Sequence, residues 1–325
     1  MRHYVLLLNQ LAKEKDILSM RKPRLFISPI NGLGNRLLMI TSAFRVASLK
    51  DYALVIVWME SAIPSGRKHF HGPFSTYFET GISEIAWPLT GEKVFLPERI
   101  GAGAFILDDS IFDGSDIYLG DYFTHNIFLK SDFLDRRSTI DEHYYSCLKR
   151  ILTPSEDTAL YLQENYVSDV GFEEDYLGIH IRKGGFLSNE VPDYIFAHNI
   201  NNSMMALSAL KVLAHLSKRS AFICGQNYND AAEVAFLLRN FGVSVMVHRE
   251  NTFPHPLPDH TNSAQHSTKA VADLITLQKS SNVLSTYFTT FGLFASIRPN
   301  NIRFVVNPGG AIASYPTSLL SGNGL

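Results

Sequence analysis

The chain has 325 residues, enough for two medium domains of roughly 100–200 residues each, and its 29 Lys and Arg against 31 Asp and Glu leave a net charge of −2 with His neutral. That balance excludes the broad positive surface that binds a nucleic-acid backbone or an anionic membrane, so any phosphate-binding charge must be local. Cys147 and Cys224 are the only cysteines, which excludes a disulfide framework and a Cys-x-x-Cys site and fits a reducing compartment.

The first apolar run, Tyr4 to Leu8, is interrupted by Asn9 and Gln10 before it reaches the roughly 7–15 residues of a signal-peptide core. No Ala-x-Ala-like site follows, and no stretch of about 18 uncharged apolar residues occurs later. A soluble cytoplasmic protein is the expectation. RLFISPI (24–30) then predicts a strand, NGLGN a tight turn, Arg36 to Lys50 a helix, and ALVIVWM (53–59) a second strand. Between 60 and 115 Pro64, Pro73, Pro88, Pro97 and clustered glycines predict loops. IYLGDYF (117–123) is the next strand. Thr153-Pro154, the helical SEDTALYLQENY and the acidic DVGFEEDY place a domain boundary near 165, giving domains 1–165 and 166–325.

In the second half strands are expected at 176–182, 220–225, 243–248, 282–288 and 302–308. Helices are expected at Met204–Lys218, Asn229–Phe241, with Gly242 as its stop, and Thr268–Lys279. Most strand runs are continuously apolar rather than alternating, as parallel strands buried on both faces are. Strand and helix in rotation define an α/β class with parallel sheets, read as two halves facing a central cleft.

Three segments could carry chemistry. In NGLGNRLL, Gly32 and Gly34 permit close backbone approach, and the helix start offers free N–H groups to a polar or anionic ligand. The dinucleotide fingerprint needs a further glycine where Leu37 stands, which argues against a nicotinamide site. In YLGIHIRKGGF, His180 and Arg182 alternate with Ile179 and Ile181, and Lys183 follows at the carboxyl end of the strand, where α/β proteins bind ligands. Arg182 can fork two phosphate oxygens, while Lys183 adds a point charge. In VADLITLQKSSNVLSTYFTTFGLF, Asp273 lies on a helix, and the strand after it runs into Thr289, Thr290 and Phe291, a second phosphate cradle or an ordinary N-cap.

In this order the three segments resemble the fucosyltransferase superfamily that includes bacterial nodulation fucosyltransferases, core α1,6-fucosyltransferases and protein O-fucosyltransferases. GPFSTYFE (72–79) is similar to a Pro-Phe-x-x-x-Phe stretch of the nodulation type. The resemblance implies a GT-B fold of two Rossmann-like domains, with an acceptor-side first domain and GDP-fucose held mainly by the second. It implies an inverting transfer to a glycan, lipid-oligosaccharide or protein hydroxyl, without metal or other cofactor. Arg182 would then bind the β-phosphate, Thr289 and Thr290 the diphosphate, and Asp273 would lie near the guanosine or organise its loop. His180 and Asn35 would line the cleft from opposite domains, and Glu190, ten residues after His180, would be the base. The chain departs from the core α1,6 enzymes, which carry Arg-Arg-Thr-Asp where Arg182-Lys183-Gly184-Gly185 stands here. A lysine cannot reproduce a second bidentate fork.

Other readings are a GT-B transferase using another nucleotide sugar and a decayed nucleotide-sugar-binding protein. His69, His71, His255, Asp259, His260 and His266 are metal-ligand types, but their spacing matches no closed zinc set, so no metal is expected. Tyr77, Trp87 and Tyr122 could stack on a sugar, although core packing is their commoner use.

Overall fold

The computed structural model describes residues 22–29, 32–58, 72–85, 93–95, 98–100, 104–123, 126–131, 142–182, 200–225, 227–249, 264–287, 289–298 and 302–316. The apolar runs form strands. In the first half these are β1 (Arg24–Pro29), followed by helix α1 (Leu33–Leu49), then β2 (Ala53–Val57). The span expected as loop contains four short strands: β3 (Ser83–Ile85), β4 (Lys93–Phe95), β5 (Glu98–Ile100) and β6 (Ala104–Leu107). Strands of three or four residues are too short to show a period, which is why the sequence pattern misses them. β7 (Ile117–Phe123) and β8 (Asn126–Leu129) follow. β3-β2-β1-β7-β4 make an all-parallel sheet, and β5-β6-β8 a small third sheet.

Helices α2 (Glu142–Ile151) and α3 (Glu156–Asn165) lead to the second half. Ser155 caps α3 by accepting the Thr158 N–H, which fixes the turn that Pro154 begins. The larger sheet is then built from β9 (Tyr166–Ser168), β10 (Leu177–Ile181), β11 (Ser220–Gly225), β12 (Ser244–His248), β13 (Asn282–Thr286), β14 (Ile302–Val306) and β15 (Ile312–Pro316). Its order is β15-β14-β13-β10-β11-β12-β9, parallel throughout except for the antiparallel edges β9 and β15. The helices between them are α4 (Asn202–Leu216), α5 (Tyr228–Asn240), α6 (Ala264–Lys279) and α7 (Thr290–Ala295). All strands of the first sheet precede residue 124 and all strands of the larger one follow 165.

The two sheets are not separately cored. One apolar cluster runs from Leu25, Leu37 and Ile40 of the first half to Leu274, Leu293 and Phe294 of the second. α1 is the element that allows this, because it is buried on nearly its whole circumference, through Leu37, Leu38, Met39, Ile40, Ala43 and Val46 and also through the polar Arg36, Thr41, Ser42 and Arg45. A helix buried all round lies between layers rather than on a surface. The opposite face of the larger sheet has its own cluster, with Ile179, Ile181, Val234 and Leu238.

The start of α1 meets the start of α7, and Gly34 is the reason it can. A Cβ on Gly34 would lie 2.7 Å from the carbonyl carbon and oxygen of Thr290 and 2.8 Å from the Phe291 nitrogen. Helix propensity alone makes Gly34→Ala stabilising by roughly 1 kcal/mol. The collision is with backbone, which cannot rotate away, so overpacking of about 1–3 kcal/mol wins. Gly34→Ala is therefore expected to lower the urea midpoint, and a raised midpoint would show that the two helix starts do not touch.

Candidate functional site

His180 occupies the central strand of the larger sheet. Ile179 and Ile181 pack into the cluster on one face, so alternation along β10 sends His180 to the other face, where α7 lies. Its Nδ1 is 3.2 Å from Thr289 Oγ1, and its ring stacks on Phe291 with centroids 4.7 Å apart and planes 22° from parallel. Thr289 is the N-cap of α7 and its Oγ1 already accepts the Gly292 N–H at 3.3 Å. A hydroxyl has one proton and a second lone pair left after that bond, so Thr289 can partner the neutral ring in either tautomer. Three of the sequence-derived residues, His180, Thr289 and Phe291, thus form one contact, and Thr290 joins it to Gly34 of the first half.

Arg182 follows directly on β10, half-buried. Its main chain is clamped by one side chain: the Arg182 N–H donates to Thr286 Oγ1 at 3.1 Å, and that hydroxyl donates to the Arg182 carbonyl at 2.9 Å. Two neighbouring parallel strands are tied at their carboxyl ends by this pair. Burial, followed by the charges of Arg182, Arg303 and Lys269, lowers the His180 pKa to about 3, so the ring stays neutral at physiological pH. It is a fixed dipole among cations and not a cation itself.

Asn35 lies half-buried in the first turn of α1, and Gly32 is its exposed N-cap, with φ −66°. The next residue, Arg36, is fully buried, with its guanidinium carbon 4.4 Å from the Trp58 ring centroid, and burial lowers its pKa to about 10. Trp58 in turn donates its indole N–H to the Gly72 carbonyl at 3.1 Å and packs on Phe74, so the GPFSTYFE stretch is tied to the start of α1. Tyr77 is buried in the same core, the use its pattern favours. Lys183, Glu190, His69, His71, His255, Asp259, His260 and Trp87 lie outside the described residues.

Asp273 belongs to a different constellation. It accepts from the Tyr166 hydroxyl at 2.7 Å and from Lys269 Nζ at 2.5 Å, four residues earlier on α6, and both charged residues are buried. Lys269 Nζ also lies 4.8 Å from the Tyr228 ring centroid. His248 completes the cluster, buried, with Nε2 2.8 Å from the Tyr161 hydroxyl of α3. α3 thereby reaches across the 165/166 boundary to the second sheet. Burial, aided by the Lys269 charge, holds the His248 pKa near 3, and burial beside Asp273 pushes the Tyr166 phenol well above its usual value.

Arg303 on β14 is the site residue the sequence reading passes over. It donates through Nε and Nη2 to Ser285 Oγ at 3.2 and 3.1 Å and through Nη2 to the Thr289 carbonyl at 3.3 Å. The signal was available, because IRFVV has one cation inside a buried apolar strand, as LGIHIR does. Lys269 could likewise have been found as the partner spaced one helical turn from Asp273.

The two neutral buried histidines set a pH response. Above pH 6.5 folded and unfolded chains both leave them uncharged. Below it the unfolded chain takes up protons that the folded chain, with pKa values near 3, refuses. Stability therefore falls as pH drops from about 6 to 4, by up to roughly 1.4 kcal/mol per pH unit for each histidine. Urea midpoints across that range should fall in the wild type and fall less steeply in His248→Phe, whereas identical slopes would mean His248 is not buried uncharged.

No protein-family model matches the sequence, and no curated protein matches it. Solved structures do match the fold. The fucosyltransferase NodZ from Bradyrhizobium superposes over 92% of this chain and 100% of its own, at 16% identity and a TM-score of 0.52. NodZ α-1,6-fucosyltransferase co-crystallized with GDP covers 91% of this chain and 99% of its own, at 15% identity and a TM-score of 0.51. The chain has the fold of these proteins, the GT-B type with two parallel-sheet units. Among the described residues no helix is long and apolar enough to cross a membrane, and no group of three or more His, Cys, Asp or Glu side chains is placed to hold a metal ion.

Proposed function

We propose that the chain is an inverting fucosyltransferase that uses GDP-fucose without a metal ion and transfers fucose to the hydroxyl of a glycan, lipid-oligosaccharide or protein. The observation that carries this reading is the meeting of the three motifs: Gly34 against the Thr290 and Phe291 backbone, and His180 against Thr289 and Phe291, beside Arg182 at the carboxyl edge of the sheet. Nodulation-type fold and motif order support the same donor. NodZ co-crystallizes with GDP, and the same nucleotide is proposed for this chain.

In the reaction the acceptor oxygen attacks the anomeric carbon from the face opposite the phosphate, and the bond to the diphosphate oxygen breaks through an oxocarbenium-like centre. GDP leaves with the bonding electron pair, and the acceptor proton passes to a base, for which Glu190 is the candidate. Charge builds on the leaving β-phosphate. Arg182 would fork its oxygens, Lys183 would add a second cation, and Thr289 and Thr290 would offer hydroxyl and N–H groups at the start of α7. Neutral His180 would line the cleft from the donor side, Asn35 would meet the acceptor side with Gly32 and Gly34 beside it, and Asp273 would organise the nucleotide-side loop through Tyr166 and Lys269. Residues 1–165 would form the acceptor-side domain and 166–325 the donor domain.

Thermal shift with GDP, UDP and their sugars, with and without EDTA, tests this directly. GDP is expected to raise the melting temperature equally in both buffers. A shift with UDP alone would move the donor to another nucleotide sugar, and a shift with GDP-fucose but neither transfer nor donor hydrolysis would make the chain a binding protein.

A further inference from the structure

Arg303 is 8% exposed, on a strand whose neighbouring positions Phe304, Val305 and Val306 are buried and apolar. Its hydrogen-bond acceptors are a hydroxyl and a carbonyl, both neutral. Among the described residues no carboxylate is ion-paired with it. A guanidinium withdrawn from water without a counter-ion is costly, and a chain retains one where its geometry or its charge is used.

The geometry has a clear target. Ser285 is the penultimate residue of β13 and Thr289 is the N-cap of α7, so the three bonds from Arg303 tie the end of the strand to the helix-opening turn through one planar group. Gly292 lets the turn close: a Cβ there would come within 2.6 Å of the Ser285 Cβ. The same turn presents the Thr289 hydroxyl to His180 and the Thr290 backbone to Gly34. Free rotation of the turn would dismantle both contacts.

We propose that Arg303 is a positioning residue for the donor diphosphate, acting through Ser285 and the Thr289 carbonyl to hold the Thr289–Thr290 turn in its phosphate-accepting geometry, with its charge offset when the diphosphate binds. The assignment rests on the donor reading above. It concerns a residue of β14 that lies outside all three sequence motifs.

Calorimetric titration of the full chain with GDP and with GMP tests it, because the turn serves the β-phosphate that only GDP carries. Arg303→Met is expected to weaken GDP about tenfold, as loss of a charge-assisted network does, while GMP weakens by less than about threefold. Arg303→Lys should restore part of the GDP affinity. Ser285→Ala keeps the charge and removes two of the three bonds, so it should weaken GDP in the same sense and decides the matter if Arg303→Met fails to fold. GDP affinity unchanged in Arg303→Met or Ser285→Ala, or GDP and GMP weakened in equal proportion, overturns the assignment while leaving the donor reading standing. A wild-type chain that binds neither nucleotide overturns both.

Discussion

Arg182→Ala is expected to remove the GDP-induced thermal shift and to reduce transfer by roughly 10²–10³-fold or more, the usual cost of deleting one preorganised group that stabilises a leaving charge. The Arg182 backbone is held in both directions by the Thr286 hydroxyl, at 3.1 and 2.9 Å, and those bonds survive the substitution. The strand end stays in place while the guanidinium goes. Arg182→Lys should recover only part of the activity, since an ammonium cannot fork two oxygens. A second effect follows in the same variant: with the Arg182 charge gone, one of the influences that keep His180 neutral is lost. Undiminished GDP affinity in the alanine variant would place the diphosphate elsewhere.

Lys269→Met is expected to lower stability by about 3–5 kcal/mol, read as a urea midpoint, because it strands a buried carboxylate. Lys269 and Asp273 are each 5% exposed and 2.5 Å apart, and after the change Asp273 keeps, among the described residues, the Tyr166 hydroxyl on its other oxygen. Replacing both members, as Lys269→Met with Asp273→Leu, should recover most of the loss, since two apolar side chains of similar bulk carry no desolvation cost. If the single variant costs less than about 1 kcal/mol, water reaches the pair. The double variant has a functional reading as well. Should it fold yet bind GDP poorly, Asp273 organises the nucleotide side of the site rather than merely sealing a core.

The strands were legible because parallel strands buried on both faces leave uninterrupted apolar runs. RLFISP, ALVIV, LGIHI, SAFICG and IRFVV all became strands within two residues of their expected ends. β3, β4 and β5 were not legible, because three residues carry no period. His180 could be singled out from its alternation with two isoleucines, but not its pairing with Thr289, since a contact between residues 109 apart leaves no local trace. The glycines of NGLGN show a further limit. Their pattern suggests a ligand turn, whereas Gly34 is fixed by the Thr290 backbone against which it packs. Asn35 beside it is half-buried in the first turn of α1.

The central claim is transfer of fucose from GDP-fucose, and mass spectrometry of the full chain incubated with that donor and pooled oligosaccharide acceptors, with EDTA present, tests it most directly. The account predicts release of GDP together with an acceptor heavier by one deoxyhexose in the wild type, and neither product from Arg182→Ala. Intact GDP-fucose after prolonged incubation, alongside consumption of a different nucleotide sugar by the same preparation, would contradict it.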